Sequence, residues 1–428
     1  MRAVVERSEY RLPRVEIPYV PPCSLQVSAD FKAKARIAWG VAALKVRHLV
    51  EAQPDAFPLY TQDGTWTVHA EAWTPWCEGF LAGQLWLLAD HSLLEDDRRW
   101  FRSRAEHYTR LIEHRKDDRS THDLGFLFWS SWRRWVEATG DAALNTVVVE
   151  AGRTMALRFM ERGRYLRSFL APNVTFIDVM MNVGIMFYAA RYLEDDDLGR
   201  VAYEHCLTTR KFLVRGDGST SHAGVFDLQT GAFVRQTTEQ GWRNDSSWAR
   251  GQAWAIHGFV TAYRHTGDRR FLSTARACAD FYIEHTSDRL VPPNDLDDPE
   301  PDRPFESSAA AIAAGGLWRL AGLVENSAVA CRYGSHAIQT LDRLCDPEFL
   351  SVDDPMWEGI LKHGTYHEGK HLGIDESVMW GDYWFLDALD MVAPELSFPV
   401  AARVHTSKRS QGRGRSGGPG MLHAGGAA

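Results

Sequence analysis

Apolar residues recur at helical spacing along most of this chain, and short polar turns interrupt them from end to end. The turns read "ADHSLLEDD", "EATGDAAL", "YLEDDDLGR", "RHTGDRRFL" and "LVENSAVA". Each turn follows an apolar segment and precedes a more polar one that opens with acidic or capping residues, as helix starts do. The pattern therefore predicts a degenerate repeat of helical hairpins with few strands.

The segments before the turns are apolar on nearly all sides, which is typical of buried helices, whereas those after the turns have a charged face. We predict inner helices over 74–89, 122–138, 177–193, 247–264, 307–323 and 376–392, alternating with six amphipathic ones. Six inner helices ringed by six outer ones form an all-α (α/α)6 barrel of six helical hairpins.

An open α-solenoid is the alternative fold, because it also stacks helical hairpins. Two features favour a closed barrel. One is the count of six pairs. The other is a set of small residues that let inner helices pack closely: Gly79, Gly83, Gly184, Gly251, Gly258, Gly315 and Gly316.

The barrel accounts for residues 28–395 as a single domain. Residues 1–27 form an N-terminal extension. The tail over 396–428 is rich in glycine, and from Ser407 onward it is basic without any acidic residue, so we expect it to be disordered.

Consecutive helices run in opposite directions, so the six inner helices are parallel and their N-termini meet at one mouth of the barrel. The sequence places a chemically varied set there: Trp76, Glu78, His122, Asp123, Asp178, Trp248, Arg250, Gln252, Ser307, Ser308, Trp380 and Asp382, joined by His222 and Gln240 from the insertion before the fourth inner helix. Carboxylates, a guanidinium, imidazoles and indoles together suit the binding of a sugar acid.

Each of these residues also has a plainer interpretation. Asp123 and Asp178 precede apolar runs, where aspartate is a favoured N-cap. Arg250 could pair with an acidic neighbour, and Trp254 could be part of the core. Their convergence at one mouth is what favours a functional site.

Composition restricts the classes of function. The chain is 45% hydrophobic and 24% charged with a net charge of -8, so it has no basic face for nucleic acid and an anionic substrate needs a local cation. No window is apolar enough to span a membrane, and the N-terminus lacks a signal-peptide core, so we expect a cytoplasmic protein with no membrane partner. Six widely spaced cysteines fit reduced thiols and offer no metal-ligand spacing, so neither metal nor cofactor is expected. No feature specifies the oligomeric state.

Longer motifs make a family resemblance specific. In chain order they are "WCEGFLAG", "HDLGFL", "FIDVMMN", "STSHAGVFDLQTG", "EQGWRNDSSWARGQAWAIHGF", "ESSAAAIAAGGL" and "GTYHEGKHLGIDESVMWGDYWFLDAL". Over roughly residues 65–392 the chain resembles the unsaturated glucuronyl hydrolases. The resemblance implies an (α/α)6 barrel that removes the non-reducing-end 4,5-unsaturated glucuronic acid from oligosaccharides made by polysaccharide lyases. An unsaturated uronic-acid oligosaccharide is thus the implied partner.

The resemblance also implies roles for single residues. Asp178 matches the principal general acid/base, and Asp123 matches its partner carboxylate. His222, Gln240, Arg250 and Trp254 match the uronate subsite, Trp76 matches the pocket wall, and Tyr366 and His367 match a loop near the sugar. His122 and Trp248 join the expected substrate contacts from their place at the mouth.

Two positions depart from the family pattern. Phe169 is the only ring in a loop that often carries a tryptophan stacked on the next sugar. Glu239 stands where a histidine is common. Both departures concern the leaving sugar more than the reaction.

The implied reaction explains the residue types. A 4,5-unsaturated uronate is an enol ether, so protonation of C4 leaves an oxocarbenium-like C5 to which water adds, and the resulting hemiketal opens. This needs a carboxylic acid that is still protonated near neutral pH. Two carboxylates in one site beside an apolar wall supply it, because like charge and desolvation both raise a pKa. Arg250 is expected to hold the substrate carboxylate.

Three other functions stay open at this point. Unsaturated rhamnogalacturonyl hydrolases share the fold and chemistry, although "HDLGFL" points away from them. A sugar epimerase on the same barrel would use histidines as its acid and base. A non-catalytic helical scaffold would have no need of Asp178.

Overall fold

The computed structural model describes residues 10–20, 25–68, 71, 74–300 and 303–398. Within these ranges the chain forms thirteen α-helices. They are α1 (Ala29–Ala52), α2 (Glu78–His91), α3 (Glu95–Leu111), α4 (Leu124–Trp129), α5 (Trp132–Thr139), α6 (Asn145–Ala156), α7 (Val179–Leu193), α8 (Asp196–Phe212), α9 (Ala249–Thr266), α10 (Arg269–Thr286), α11 (Ser307–Ala321), α12 (Ser327–Leu344) and α13 (Met379–Val392). None of these helices combines the length and the apolar character that a membrane span requires.

Two concentric rings of helices form the fold. The inner ring runs α2, α4 with α5, α7, α9, α11 and α13, each packed against the next, and α13 packs against α2. The outer ring is α1, α3, α6, α8, α10 and α12, and α12 also contacts α1. The inner ring is therefore closed, which confirms the predicted (α/α)6 barrel and excludes the open solenoid.

Small residues allow the inner helices to touch through their backbones. A Cβ on Gly79 would lie 2.3 Å from the carbonyl oxygen of Leu127, and one on Gly258 would lie 2.5 Å from the Cβ of Met180. Any larger side chain at these positions would push two inner helices apart, because the obstructing atoms are backbone or Cβ atoms that cannot swing away.

The second inner helix departs from the prediction. The sequence predicts a continuous helix, but the structure breaks it into α4 and α5 at Ser130 and Ser131. The Ser130 hydroxyl donates to the Phe126 carbonyl at 2.6 Å, and the Ser131 hydroxyl donates to the Leu127 carbonyl. Such bonds to the carbonyl four residues earlier compete with the helical N–H groups and bend helices.

Short antiparallel strands, which the sequence did not predict, lie in the loops between the helices. They are β1 (Thr61–Gln62), β2 (Thr65–Trp66), β3 (Phe159–Met160), β4 (Tyr165–Leu166), β5 (Val174–Phe176), β6 (Ala223–Phe226), β7 (Phe233–Thr237), β8 (Gly364–His367) and β9 (Leu372–Glu376). The largest sheet has the order β5-β6-β7. It joins the loop before Asp178 to the insertion before α9, and the Ile177 N–H donates to the His222 carbonyl at 2.9 Å. These strands fix the loops at the mouth.

Both ends of the described chain pack against the barrel. The Tyr10 ring stacks on Tyr203 of outer helix α8 with 4.3 Å between centroids, and the Ile17 N–H donates to the Arg264 carbonyl of inner helix α9 at 2.9 Å, so the predicted extension crosses from the outer to the inner ring. Phe398 is buried, so packing continues past the boundary predicted for the barrel. Residues 399–428, which make up most of the predicted tail, lie outside the described residues.

Side-chain capping differs from helix to helix within both rings: α3 and α6 of the outer ring lack it, and α11 of the inner ring is capped by Glu306. The outer helices α8, α10 and α12 begin at Asp195, Asp268 and Asn326, whose side chains accept hydrogen bonds from N–H groups of the first turn. The inner helices α2, α4, α7, α9 and α13 have no such side-chain bond. Asp123 and Asp178 occupy the N-cap positions of α4 and α7 without capping them. Capping therefore does not explain these two carboxylates.

Candidate active site

A cavity of about 390 Å³, part of it open to solvent, lies at the mouth where the inner helices begin. Its lining consists of Trp76, His122, Asp123, Phe126, Phe169, Phe176, Asp178, Gln240, Arg250 and Tyr366. Half of these residues are aromatic, and the rest supply two carboxyls, a guanidinium, an imidazole and an amide. Apolar walls with a few convergent polar groups are typical of a small-molecule site.

The structure brings most of the predicted site residues into this lining. Four others are buried beside this lining: His222, Trp248, Trp254 and His367. The Trp248 ring lies 4.3 Å from the Arg250 guanidinium carbon. The Trp254 ring packs 5.2 Å from the ring of Phe126. Trp248 therefore supports Arg250, and Trp254 lies between Phe126 and Asp178, where burial raises the pKa of that carboxyl and the indole helps to lower it.

Asp178 lies at the start of α7 with few polar contacts. Its Oδ2 is buried without a hydrogen-bond partner among the described residues, and Nε2 of His222 is 3.7 Å away. Burial, followed by the nearby charge of Asp123, raises the pKa of Asp178 to about 7 against the opposing charge of Arg250. This carboxyl therefore keeps its proton up to neutral pH.

Asp123, one inner helix away, is equally buried but better hydrogen-bonded. The Thr121 hydroxyl donates to its Oδ2 at 2.8 Å, and Nδ2 of Asn182 donates to its Oδ1 at 3.4 Å. Burial raises the pKa of Asp123 to about 7, while the Thr121 bond and the Arg158 charge oppose that rise. Of the two carboxyls, Asp123 thus has more groups that stabilise its anion, and Asp178 has fewer.

Two buried histidines face the two carboxyls in the same way. The backbone N–H of Phe169 donates to Nδ1 of His122 at 3.1 Å, and that of Glu239 donates to Nδ1 of His222 at 3.0 Å. Burial lowers the pKa of His122 well below its usual value and that of His222 to about 3. Each ring is therefore neutral with its proton on Nε2. Nε2 of His122 lies 3.3 Å from Oδ1 of Asp123.

The contact from Glu239 accounts for one departure from the family pattern. Its backbone N–H, and not its side chain, holds His222. A glutamate can therefore replace the common histidine at this position without changing the orientation of the imidazole.

Arg250 is buried, and both of its terminal nitrogens are engaged. Nη2 donates to Oε1 of Gln240 at 2.7 Å and to the Tyr366 carbonyl at 2.8 Å. Nη1 donates to the Thr365 carbonyl at 2.6 Å and to Oε2 of Glu306 at 3.3 Å. Arg250 thus offers a ligand its charge, and it positions Gln240 and Tyr366. A direct hold on the substrate carboxylate, as expected from the sequence, would require some of these bonds to exchange.

Sequence reasoning missed some neighbours of the carboxyls. Asn182 could have been found, because it follows Asp178 by four residues and so returns to the start of the same helix. Nothing in the sequence pointed to Arg158. Its guanidinium is held in place by hydrogen bonds to the backbone carbonyls of Arg119 and Ser168, which residue identity does not reveal. Over the described part of the chain, His, Cys, Asp and Glu side chains form no group of three or more that could hold a metal ion.

No protein-family model matches the chain. The unsaturated glucuronyl hydrolase of Formosa agariphila is 34% identical over 331 residues, which span 75% of this chain and 81% of that protein. The chain belongs to the unsaturated glucuronyl hydrolase family. The unsaturated glucuronyl hydrolase of Bacillus sp. strain GL1 is 31% identical over 351 residues, or 78% of this chain and 90% of that protein.

The solved structures agree with this family assignment. The crystal structure of the Bacillus sp. GL1 unsaturated glucuronyl hydrolase, described as responsible for glycosaminoglycan degradation, matches with a TM-score of 0.78 and 28% identity. The match covers 86% of this chain and 98% of that one. This family member therefore has the family's barrel as well as its sequence motifs.

Proposed function

We propose that this unsaturated glucuronyl hydrolase removes a 4,5-unsaturated glucuronic acid from the non-reducing end of lyase-generated oligosaccharides. The observation that supports this most is the pair of uncapped, buried carboxyls, Asp123 and Asp178, at one cavity with pKa values raised to about 7. Such a pair can hold one proton between two groups at neutral pH, which hydration of an enol ether requires.

In this proposal Asp178 is the general acid/base. It donates its proton to C4 of the sugar, and the C4=C5 electron pair forms the new C–H bond. Positive charge then develops at C5 and the ring oxygen, a water oxygen bonds to C5, and the water proton returns to Asp178. The hemiketal opens by breaking the bond between C5 and the ring oxygen, which takes the hydroxyl proton. The hemiacetal left at C1 then breaks its bond to the next sugar, whose oxygen takes the remaining hydroxyl proton, so atoms and charge balance without a covalent enzyme intermediate.

Asp123 is the ionised partner in this scheme. Its negative charge stabilises the oxocarbenium-like C5 and also keeps the pKa of Asp178 high. The bonds from Thr121 and Asn182 favour this ionised form. The neutral Nε2–H groups of His122 and His222 supply donors beside each carboxyl.

The substrate carboxylate would lie near Arg250, with Gln240 and Tyr366 in the positions that its guanidinium gives them. A buried cation offsets the unfavourable net charge of -8 for an anionic substrate. Trp76 and Phe126 would pack against the apolar faces of the sugar ring. In addition, Trp248 and Trp254 support this wall, and His367 follows Tyr366 in the hairpin that closes it.

Glycosaminoglycan-derived oligosaccharides are the proposed source, by analogy with the Bacillus sp. GL1 protein. Phe169 stacks on His122 with 5.3 Å between ring centroids, at the edge of the cavity where the next sugar would leave. An epimerase is disfavoured, because the pKa values of all three histidines of the site, His122, His222 and His367, are lowered by burial, and none is protonated near pH 7 to act as an acid.

The test is to incubate the protein with unsaturated disaccharides made by chondroitin, heparin and other polysaccharide lyases. Loss of the ultraviolet absorbance of the conjugated double bond, with release of the reducing-end sugar, is expected for at least one of them. Unchanged absorbance with all glucuronyl substrates, and turnover of unsaturated rhamnogalacturonan disaccharides, would instead assign the chain to the related activity.

We also propose a cytoplasmic location. The thiols of Cys77, Cys206, Cys278 and Cys345 are buried inside the barrel, which suits a reducing compartment. Cell fractionation with activity measured in each fraction tests this, and activity recovered only outside the cytoplasm would overturn it.

A further inference from the structure

Asn182 joins the starts of the two helices that carry the carboxyls. It follows Asp178 by four residues in α7, a spacing that brings a side chain back to the first turn. Its Nδ2 donates to the Asp178 carbonyl at 3.2 Å and to Oδ1 of Asp123 at 3.4 Å. Its Oδ1 accepts the Phe126 N–H at 2.8 Å. One fully buried amide is thus bonded to both helices.

The partners of this amide fix its orientation. The backbone N–H of Phe126 can only donate, so the atom that faces it is the amide oxygen, and the NH₂ group must face Asp123. The two helices approach closely here because residue 125 is glycine: a Cβ on Gly125 would lie 2.6 Å from the Cα of Asn182. The amide therefore always presents a donor to Asp123.

Positively charged side chains lie near both carboxyls, but the two carboxyls differ in the number of side-chain hydrogen-bond donors around them. The groups around Asp123 are Thr121, Asn182, Arg115, Arg158, Cys77 and the neutral His122. The groups around Asp178 are Asp123, Arg250, Trp254 and the neutral His222. The Trp254 indole also favours an ionised Asp178, so the difference rests on two side-chain donors at Asp123, Thr121 and Asn182, against one at Asp178.

We propose that Asn182 is a positioning residue whose amide stabilises the ionised form of Asp123 and so leaves the shared proton on Asp178. The catalytic consequence rests on the function proposed above. A stabilised Asp123 anion has a lower pKa itself, and its negative charge keeps the pKa of Asp178 high. The enzyme form with one ionised and one protonated carboxyl then persists over the widest pH range.

Replacement of Asn182 by leucine tests the inference, because leucine has a similar shape but neither donor nor acceptor. We expect the bell-shaped pH dependence of kcat/KM to narrow from its acid side. The acid limb moves to higher pH, since Asp123 takes up a proton more readily. The basic limb should not move to lower pH, since Asp123 is ionised both before and after Asp178 loses the last proton of the pair. At the optimum kcat should fall by about tenfold or more.

Two further variants separate positioning from simple stability. Asn145→Leu removes another buried asparagine, whose Oδ1 accepts the Tyr188 hydroxyl away from the cavity, and should lower the melting temperature while leaving both limbs in place. Asn182→Asp keeps the shape and the acceptor for Phe126, so it should fold even where leucine fails, and its charge should move the acid limb to higher pH. An acid limb that coincides with wild type in the folded variants of Asn182 would overturn the inference.

A measurement without turnover separates this inference from the proposed function. The carboxyl carbon of Asp123 is followed by ¹³C NMR in wild type and Asn182→Leu, with Asp123→Asn for assignment. We expect the pH midpoint of the Asp123 titration to be higher in the leucine variant than in wild type. A rise in a protein that degrades no unsaturated disaccharide would reject only the function, and an unmoved midpoint in an active enzyme would reject only the role of Asn182.

Discussion

Nε2 of His222 lies 3.7 Å from Oδ2 of Asp178, and over the described residues neither atom has a hydrogen-bond partner. The distance is too long for a direct bond, although both atoms are buried. Buried polar atoms without partners are costly in a folded protein, so they mark places where a ligand completes the network. The pair thus offers a ligand one neutral N–H donor and one carboxylic acid side by side.

Two substitutions of His222 separate its two nitrogens. Glutamine places an amide near Nε2 and so keeps a donor beside Asp178, whereas asparagine places its oxygen near Nδ1 and keeps only the acceptor for the Glu239 N–H. We expect kcat/KM of His222→Gln to exceed that of His222→Asn by about tenfold. A hydrogen bond donated to a charged group, or to a group that becomes charged in the reaction, is worth more than about 1 kcal/mol.

The shape of the pH profile checks this role. The pKa of His222 is lowered to about 3, so the ring does not titrate between pH 5 and 8. Both variants should therefore change the rate and leave the acid limb where it is. An acid limb that disappears in both variants would mean that His222 itself is the titrating group.

Asp178→Asn should lower kcat by about 10²- to 10⁴-fold, the usual contribution of general acid/base catalysis. The change is isosteric, so circular dichroism should show an intact fold. Turnover of an unsaturated disaccharide at more than about a tenth of the wild-type rate would remove the acid/base role from Asp178.

The same variant should be more stable than wild type, and more so at high pH. The pKa of Asp178 is about 7 in the folded state against an ordinary value of 3.8, so the folded protein holds this proton where the unfolded chain has lost it. The linked stability is therefore present below pH 3.8 and is lost as pH rises to about 7. Asparagine avoids that loss.

Denaturant unfolding at pH 5 and pH 8 measures the difference. The stability gained by Asp178→Asn should be larger at pH 8 by on the order of 1 to 3 kcal/mol. A gain that is equal at the two pH values would mean that Asp178 is ionised in the folded protein throughout, and that it cannot donate a proton near pH 7.

The barrel was predictable because its signal is repeated. Twelve helical segments alternate between apolar and amphipathic. An error in any one of them would still leave the prediction of an inner and an outer ring of helices. Local departures were harder to foresee. The break at Ser130 and Ser131 depends on hydroxyls that turn inward to carbonyls, and serine in a helix more often faces solvent. The sheet β5-β6-β7 depends on pairing between distant segments.

The residues of the site could be predicted where polar side chains stand at the start of an inner helix. They were harder to predict where the contacts are made by backbone atoms. Asp123 and Asp178 stood out as polar residues ahead of apolar helices. The tautomer of His122, however, depends on the backbone N–H of Phe169, and the partners of Arg250 include two carbonyl oxygens. Backbone partners leave no trace in residue identity, so sequence reasoning placed Arg250 on the substrate and missed its hold on the pocket wall.

Arg250→Lys distinguishes these two roles. Lysine keeps the positive charge, but its single ammonium cannot replace the four contacts to Gln240, Glu306 and the carbonyls of Thr365 and Tyr366. We expect KM for the unsaturated disaccharide to rise more than kcat falls, at a cost of about 1 to 3 kcal/mol in binding, together with a lower melting temperature.

Arg250→Met provides the matched control, because it removes the charge as well. If charge attracts the substrate, methionine should raise KM further than lysine does at equal loss of stability. Equal KM values for the two variants would leave Arg250 with a structural role alone.

Asp123→Asn tests whether the two carboxyls act as a pair. The charge of Asp123 helps to raise the pKa of Asp178, so its removal should let Asp178 lose its proton at lower pH. The basic limb of the pH–rate profile should then move down by on the order of one pH unit, and the acid limb that reports ionisation of Asp123 should vanish. The maximal rate should fall at least about tenfold, because no carboxylate remains to stabilise charge at C5.

If Asp123 served only as the N-cap of α4, the result would be different. Asparagine caps helices about as well as aspartate, so a capping residue would show an unchanged rate and an unchanged pH profile, with at most a small change in melting temperature. The structure already gives Asp123 no bond to the N–H groups of that helix, and directs its oxygens to Thr121 and Asn182 instead. A pH–rate series on this one variant, with melting followed at the same pH values, therefore decides between a carboxylate coupled to Asp178 and a residue that only caps α4. A pH–rate profile that superimposes on that of wild type would reject the coupling.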